Sequence, residues 1–309
     1  MRILYYNEGE DNAFWLSGLR AALPQAEFRL WFPGDTAPAD YALVWKPPAE
    51  MLAGRKGLKA IFNLAAGVDA LLDMGDTLPH GVPVIRLEDA GMAIQMAEYV
   101  THSLLRYFRR FDEYDMQARN SEWKFLAPHR KHEFAVGIMG LGALGNRIAQ
   151  ALLHFGFPVR GWSRGRKKIP GVQCFVGDEE RDAFLQDTKA LVCALPLTAA
   201  TAGLLNGETL GKLEYGAYLV NIGRGAHLVE ADLLEALDSG QIAGATLDVF
   251  QSEPLPPDHP FWRAPRITIT PHMAAETLRD QTVRQVAEKL LTFERGEPVS
   301  GIVDRSKGY

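Results

Sequence analysis

Short apolar runs alternate with helix-compatible segments along the whole chain, which predicts an α/β architecture with mostly parallel sheets. In the first portion, residues 2–6, 27–32, 41–46, 60–64 and 82–87 read as strands. Pro33-Gly34, Pro47-Pro48 and Gly81 punctuate the gaps. A stretch without Pro or Gly then runs from 92 to 119, and Met96, Val100, Leu104, Phe108 and Phe111 suit one buried helical stripe along it. After a polar, Trp-containing passage (120–132), strands are predicted at 158–163, 191–195, 217–222, 245–250 and 267–270. The helices between them are clearest at 146–155 and 230–238. A last helical pattern, 276–295, can return to the first domain and make it discontinuous. A cleft between the domains is then the expected place for a ligand.

The most informative segment is the apolar run from Phe134 to Met139, which leads into Gly140-Leu141-Gly142-Ala143-Leu144-Gly145. A strand, a G-x-G-x-x-G turn and a helix N-terminus together bind a pyrophosphate, because backbone N–H groups converge there and the helix dipole favours negative charge. Gly140 allows the turn, Gly142 the approach of phosphate, and Gly145 the packing of helix on strand, while Ala143 and Leu144, inside the motif, are expected at the cofactor with them. NAD-binding proteins carry an acid about 20 residues further on, for the ribose hydroxyls. Here that place holds Ser163, followed by Arg164, Gly165, Arg166, Lys167 and Lys168, and no carboxylate occurs between Gly156 and Gly177. A 2′-phosphate needs cations and hydroxyl donors, and an acid would repel it. The expected cofactor is therefore NADP(H), read by Ser163, Arg164, Arg166 and Lys167.

Composition narrows the class. The 309 residues suffice for two domains, and 47% hydrophobic with 23% charged residues is a soluble globular balance. A net charge of −5 argues against non-specific nucleic-acid binding, and no apolar run approaches a membrane span. Cys174 and Cys193 lack C-x-x-C spacing and read as reduced core residues of a cytoplasmic protein; the opening strand, followed by Glu8, does not read as a signal peptide. His129 and His132 lack the partners and setting of a metal site, and no metal is expected.

Three more segments end strands of the nucleotide domain: Leu219 through Gly225, Leu247 through Leu255, and Thr268 through Ala274. Carboxyl ends of parallel strands converge on one crevice. Arg224, Glu253 and His272 are thereby delivered to it. Taken singly, the first fits a glycine turn, the second a solvated loop and the third a cap. Their joint occurrence in this order after the glycine motif is far more specific.

With these segments in view, the chain resembles the D-isomer-specific 2-hydroxyacid dehydrogenase family. Asn63-Leu64-Ala65-Ala66-Gly67-Val68-Asp69 in the first domain adds to the resemblance, which covers nearly the whole chain. It implies two doubly wound parallel-sheet domains, a Rossmann-type nucleotide domain (98–276) inserted into a flavodoxin-like substrate domain (1–97 and 277–309). It also implies a homodimer joined mainly through the nucleotide domains, with Trp123 and its neighbours in an interface arm. The implied reaction is reduction of a 2-oxo acid. His272 gives the proton, since an imidazole titrates near neutrality, and Glu253 holds the ring and favours its charged form. Arg224 clamps carboxylate and carbonyl oxygen, and backbone N–H groups around Ala66, Gly67 and Val68 hold the carboxylate. Asp248, which precedes the Glu253 loop, is expected to have a supporting hydrogen-bond role rather than a catalytic one.

Trp45, beside Lys46, ends a first-domain strand. Its bulk either shrinks the pocket, favouring two- and three-carbon acids, or fills the core. Three runs (45–48, 91–99 and 162–164) resemble a bacterial subgroup of the family that reduces glyoxylate and hydroxypyruvate with NADPH. The runner-up readings are a reductase of larger 2-oxo acids and a nicotinamide-sensing regulator on the same fold.

Overall fold

The structure, a computed structural model, describes residues 1–9 and 11–309. The chain divides into two compact units, one made of Met1–Gly91 with Thr277–Tyr309, the other of Met92–Glu276. Each holds a parallel sheet.

The first unit carries β1 (Arg2–Asn7), α1 (Asn12–Ala22), β2 (Glu27–Leu30), β3 (Tyr41–Trp45), α2 (Ala49–Leu52), β4 (Ala60–Asn63), α3 (Asp69–Leu72) and β5 (Val84–Arg86). Strand order is β2-β1-β3-β4-β5, the flavodoxin-like winding. Helices on both faces explain why β3 and β4 are nearly continuous buried runs rather than alternating ones. The first helix starts where Asp11 accepts the N–H groups of Ala13 and Phe14, satisfying donors that a helix end leaves orphaned.

The second unit opens with α4 (Met92–Phe108) and α5 (Phe111–Arg119). It continues through β6 (Val136–Met139), α6 (Ala143–His154), β7 (Val159–Ser163), β8 (Val172–Val176), α7 (Arg181–Gln186) and β9 (Ala190–Cys193). It ends with α8 (Gly207–Gly211), β10 (Ala217–Asn221), α9 (Glu230–Asp238), β11 (Ile242–Leu247) and β12 (Ile267–Ile269). Its sheet runs β12-β11-β10-β9-β6-β7-β8, so the winding reverses between β6 and β9, where doubly wound folds place their ligand crevice. The last helix, α10 (Arg279–Glu294), belongs to the first unit. There Val283, Val286, Ala287 and Leu290 join Ile3, Tyr5, Leu19 and Phe62 in one core.

Three local expectations change. The stretch 92–119 is two helices, because Arg110 adopts a left-handed conformation (φ 61°). Its guanidinium compensates by bonding Glu113 and the Ala127 carbonyl, and Phe111 is left exposed instead of extending the buried stripe. The signal was present: Arg109-Arg110 followed by Asp112-Glu113 is a basic helix end meeting an acidic helix start. Second, α4 lies whole in the second unit, whereas a boundary at 97/98 cuts it. Third, β11 begins at Ile242 and ends at Leu247, three residues earlier at each end than the 245–250 run, although the Asp248 N–H still donates to the Asn221 carbonyl of β10 at 3.1 Å. Among the described residues no helix is long and apolar enough to cross a membrane.

Candidate active site

The glycine turn shows three different constraints. Gly140 has φ +102°, and a Cβ there lies 2.6 Å from the Ala194 carbonyl oxygen. At Gly145 a Cβ falls 1.8 Å from the Gly140 oxygen, so α6 could not lie this close to the turn with any side chain. Gly142 is different: a Cβ there has nothing within 4 Å. It is the N-cap of α6, offers no side chain to the first turn, and no acid occupies that turn. The N–H groups of Ala143, Leu144 and Gly145 have no intrahelical acceptor, and the space at Gly142, at the head of that turn, is open. That cradle fits a pyrophosphate.

At the carboxyl end of β7, beside β6 in register, Ser163 is buried and gives its hydroxyl proton to the Gly165 carbonyl at 2.9 Å. Arg164, Arg166 and Lys167 are exposed. Arg166 is bound to Glu180 at 2.5 Å, and the other Glu180 oxygen accepts the Val176 N–H. An acid beyond the basic run thus reaches one of its cations through space.

The strands β10, β11 and β12 end level, Asn221 pairing with Leu247 and Leu247 with Ile269. Arg224, Glu253 and His272 follow on the loops leaving that one edge. His272 Nδ1 lies 2.8 Å from Glu253 Oε2, and Glu253 Oε1 accepts the Phe250 N–H at 3.0 Å. The carboxylate is an acceptor, so Nδ1 carries a proton and Nε2 is the atom turned to other chemistry. Both side chains remain partly open to solvent.

His272 is non-glycine at φ 52°. Asp248, 1% exposed, holds it there. The Asp248 carbonyl accepts the His272 N–H at 2.8 Å, and its carboxylate accepts Thr270 Oγ1 (2.6 Å), Met273 N–H (2.8 Å) and Ala274 N–H (2.9 Å). Since Thr270 gives its proton to Asp248, Tyr99 on α4 is the donor in the 2.5 Å contact between their hydroxyls. Burial raises the Tyr99 pKa and keeps it protonated for that role. Gln95, one turn earlier, bonds the Glu276 carbonyl. Asp248 thus supports the His272 loop, while Glu253 is held by the Phe250 N–H.

In the first unit, Asn63 is 2% exposed and its amide donates to the carbonyls of Ala65 (2.8 Å) and Gly67 (2.7 Å). Arg86 reaches the Ala66 carbonyl at 3.3 Å. In a trans peptide the N–H points opposite to its own C=O. The N–H groups of Ala66, Gly67 and Val68 are therefore turned away from these donors, and they meet no backbone carbonyl among the described residues. Trp45 is half-buried against the unit's core, with Lys46 Nζ 5.6 Å from its ring centre. Asn63, Arg86, Tyr99 and Thr270 act here through hydrogen bonds to other residues, which residue type alone did not mark.

The chain from 101 to 274 matches the family model described as D-isomer specific 2-hydroxyacid dehydrogenase, NAD binding domain. The chain belongs to this family. A glyoxylate/hydroxypyruvate reductase A of Serratia proteamaculans is 54% identical over the full length of both chains. Among solved structures, a D-isomer specific 2-hydroxyacid dehydrogenase of Xanthobacter autotrophicus, in complex with NADPH and MES, superposes with a TM-score of 0.94 at 41% identity, covering 100% of this chain and 99% of that one. An NADPH-dependent glyoxylate/hydroxypyruvate reductase of Sinorhizobium meliloti, in complex with NADP and sulfate, gives 0.93 at 35% identity with the same coverage. These dehydrogenases bind the phosphorylated dinucleotide, in accord with a β7 end that bears cations where an acid would serve NAD.

Proposed function

We propose that the protein is an NADPH-dependent reductase of small 2-oxo acids, converting glyoxylate to glycolate and hydroxypyruvate to D-glycerate. The observation that carries this reading is the His272–Glu253 pair at 2.8 Å, on the same sheet edge as Arg224 and in a domain whose solved relatives hold NADP(H). Gly140, Gly142, Ala143, Leu144 and Gly145 hold the pyrophosphate, and Ser163, Arg164, Arg166 and Lys167 the 2′-phosphate. NADPH, when bound, supplies the hydride. Arg224 binds the substrate carboxylate and carbonyl oxygen, aligning and polarising the carbonyl. His272 gives the Nε2 proton to the carbonyl oxygen as charge builds there, and Glu253 stabilises the imidazolium that precedes transfer. In the first unit, the N–H groups of Ala66, Gly67 and Val68 take the carboxylate, and Trp45 limits substrate size.

The working form is a homodimer in the cytoplasm. Phe111, Met116, Trp123 and Phe125, on α5 and the segment after it, are all exposed, Trp123 completely. Apolar side chains gathered on one segment fit burial against a second copy.

Steady-state oxidation of NADPH and NADH is the test, with glyoxylate, hydroxypyruvate, pyruvate and a branched 2-oxo acid. Turnover of the first two with NADPH is expected. Preference for the branched acid removes the small-pocket assignment, and NADPH binding without turnover of any acid removes the reductase reading.

A further inference from the structure

Arg224 sits on a loop with almost no room. A Cβ on Gly223 meets His227 Cε1 and Nδ1 at 2.9 Å and the Leu195 carbonyl oxygen at 3.1 Å. On Gly225 it falls 1.8 Å from the Phe250 carbonyl carbon. The Arg224 backbone is also held by directed bonds. Its N–H donates to His227 Nδ1 at 2.9 Å, and its carbonyl accepts from the His227 N–H and the Asn221 amide, each at 3.1 Å. His227 itself is fully buried, and its Nε2 lies 3.3 Å from the Pro196 carbonyl on the loop after β9. Because Nδ1 accepts, the ring proton is on Nε2, which donates to Pro196. One imidazole thereby ties the arginine loop to the neighbouring strand's loop in a single tautomer.

We infer that His227 is a positioning residue for the reaction: its unprotonated Nδ1 fixes the backbone from which Arg224 reaches the substrate. This rests on the role given to Arg224 under the proposed function. A histidine that only filled the core would need its volume, and phenylalanine supplies that. The ring here offers an acceptor to one loop and a donor to the other, and only the acceptor faces Arg224. A phenylalanine removes that acceptor from the Arg224 N–H in a fully buried place, where losing a partner is costly. A clamp displaced by a fraction of an ångström loses much of its advantage in orienting the carbonyl.

The two polar replacements separate the bonds. Asparagine places an acceptor near the Nδ1 position but does not reach Pro196; glutamine reaches toward Pro196 and lacks the acceptor at Nδ1. The test measures kcat and KM for glyoxylate, with NADPH affinity by fluorescence titration, in wild type, H227N, H227Q, H227F, R224A and R224A/H227F. We expect H227F and H227Q to lose about 10- to 100-fold in kcat/KM, and H227N to stay within about fivefold of wild type. NADPH affinity should hold throughout, and H227F should cost nothing more in the R224A background, because residues acting through one another are not additive. Equal activities for H227N and H227Q overturn the inference, as does full activity in H227F or an additive loss in the double variant. If H227F does not fold, the comparison of H227N with H227Q still decides. Full activity in R224A rejects the reading of Arg224 itself, and with it the inference; inactivity of R224A with neutral substitutions at His227 rejects the inference alone.

Discussion

Gly142 and Gly145 stand three residues apart in the same motif, yet alanine should act on them in opposite ways. Gly142 has φ −73° and ψ −165°, extended backbone that any residue adopts, and the added methyl meets no atom within 4 Å. Alanine there reduces the freedom of the unfolded chain but is a poorer N-cap than glycine, so the two effects leave stability within about 1 kcal/mol of wild type. The same methyl occupies the space into which a pyrophosphate must come. Losing one or two hydrogen bonds to a charged group, at about 1.5–3 kcal/mol each, weakens NADPH binding by roughly 10- to 20,000-fold. At Gly145 the methyl would lie 1.8 Å from the Gly140 oxygen, and backbone rather than a flexible side chain must yield. Overpacking of that kind costs about 3 kcal/mol or more, which at about 2–4 °C per kcal/mol lowers Tm by roughly 6–12 °C for a domain of this size. Thermal unfolding should be followed without cofactor, because bound NADPH raises Tm by linkage, and affinity by calorimetric titration. Wild-type NADPH affinity in Gly142→Ala refutes the phosphate cradle. A Tm for Gly145→Ala equal to that of Gly142→Ala refutes the close-packing account.

His272→Ala should lower kcat by about two to four orders of magnitude, the range of a lost general acid, with NADPH affinity retained; near wild-type turnover removes the proton-donor role. Arg164→Ala should raise the KM for NADPH about tenfold or more, the worth of a charge-assisted phosphate contact, and leave that for NADH nearly unchanged. Equal losses with both cofactors mean that this arginine does not read the 2′-phosphate. Asn63→Ala leaves the Ala65 and Gly67 carbonyls without their side-chain donor. The KM for glyoxylate should rise about tenfold, the effect of a mispositioned binding loop, while NADPH binding, which uses the other unit, stays constant. An unchanged KM shows that the carboxylate does not depend on how that loop is held.

What was legible in the sequence follows from which positions admit few residue types. Gly140 and Gly145 stand against backbone oxygens, so nothing larger fits and the motif is visible in the chain. Buried parallel strands such as β6, β9 and β10 are nearly pure apolar runs for an equally direct reason. The half-buried β8, at the sheet edge, lacks such a run and was not predicted. Strand ends overshot at Phe32 and Leu64 because strand-favouring residues continue after the ladder has stopped. The helix break at Arg110 escaped because neither Pro nor Gly makes it; an arginine in a left-handed conformation does, held by Glu113 and by a carbonyl far along the chain.

The site divides along the same line. Arg224, Glu253 and His272 announce themselves because their side chains have reaction chemistry at strand ends. The residues that aim His272 use ordinary types whose meaning is set by partners distant in sequence, whereas Arg224 and Glu253 are held from three residues away. His272 shows why those partners matter. A left-handed conformation at a non-glycine residue costs about 1–3 kcal/mol and persists only where its surroundings over-determine it. Here the buried Asp248 carboxylate collects a hydroxyl and two backbone N–H groups from the segment on either side of the histidine, and its own carbonyl takes the histidine N–H. Bonds to a charged acceptor are worth about 1.5–3 kcal/mol each, enough to offset the strain and the cost of burying the acid. The imidazole is thus aimed mainly by its backbone, and its Nδ1 bond to Glu253 sets the tautomer after the direction is already fixed. The sequence marks Asp248 for a supporting role but not for these partners, because its three donors lie 22 to 26 residues away.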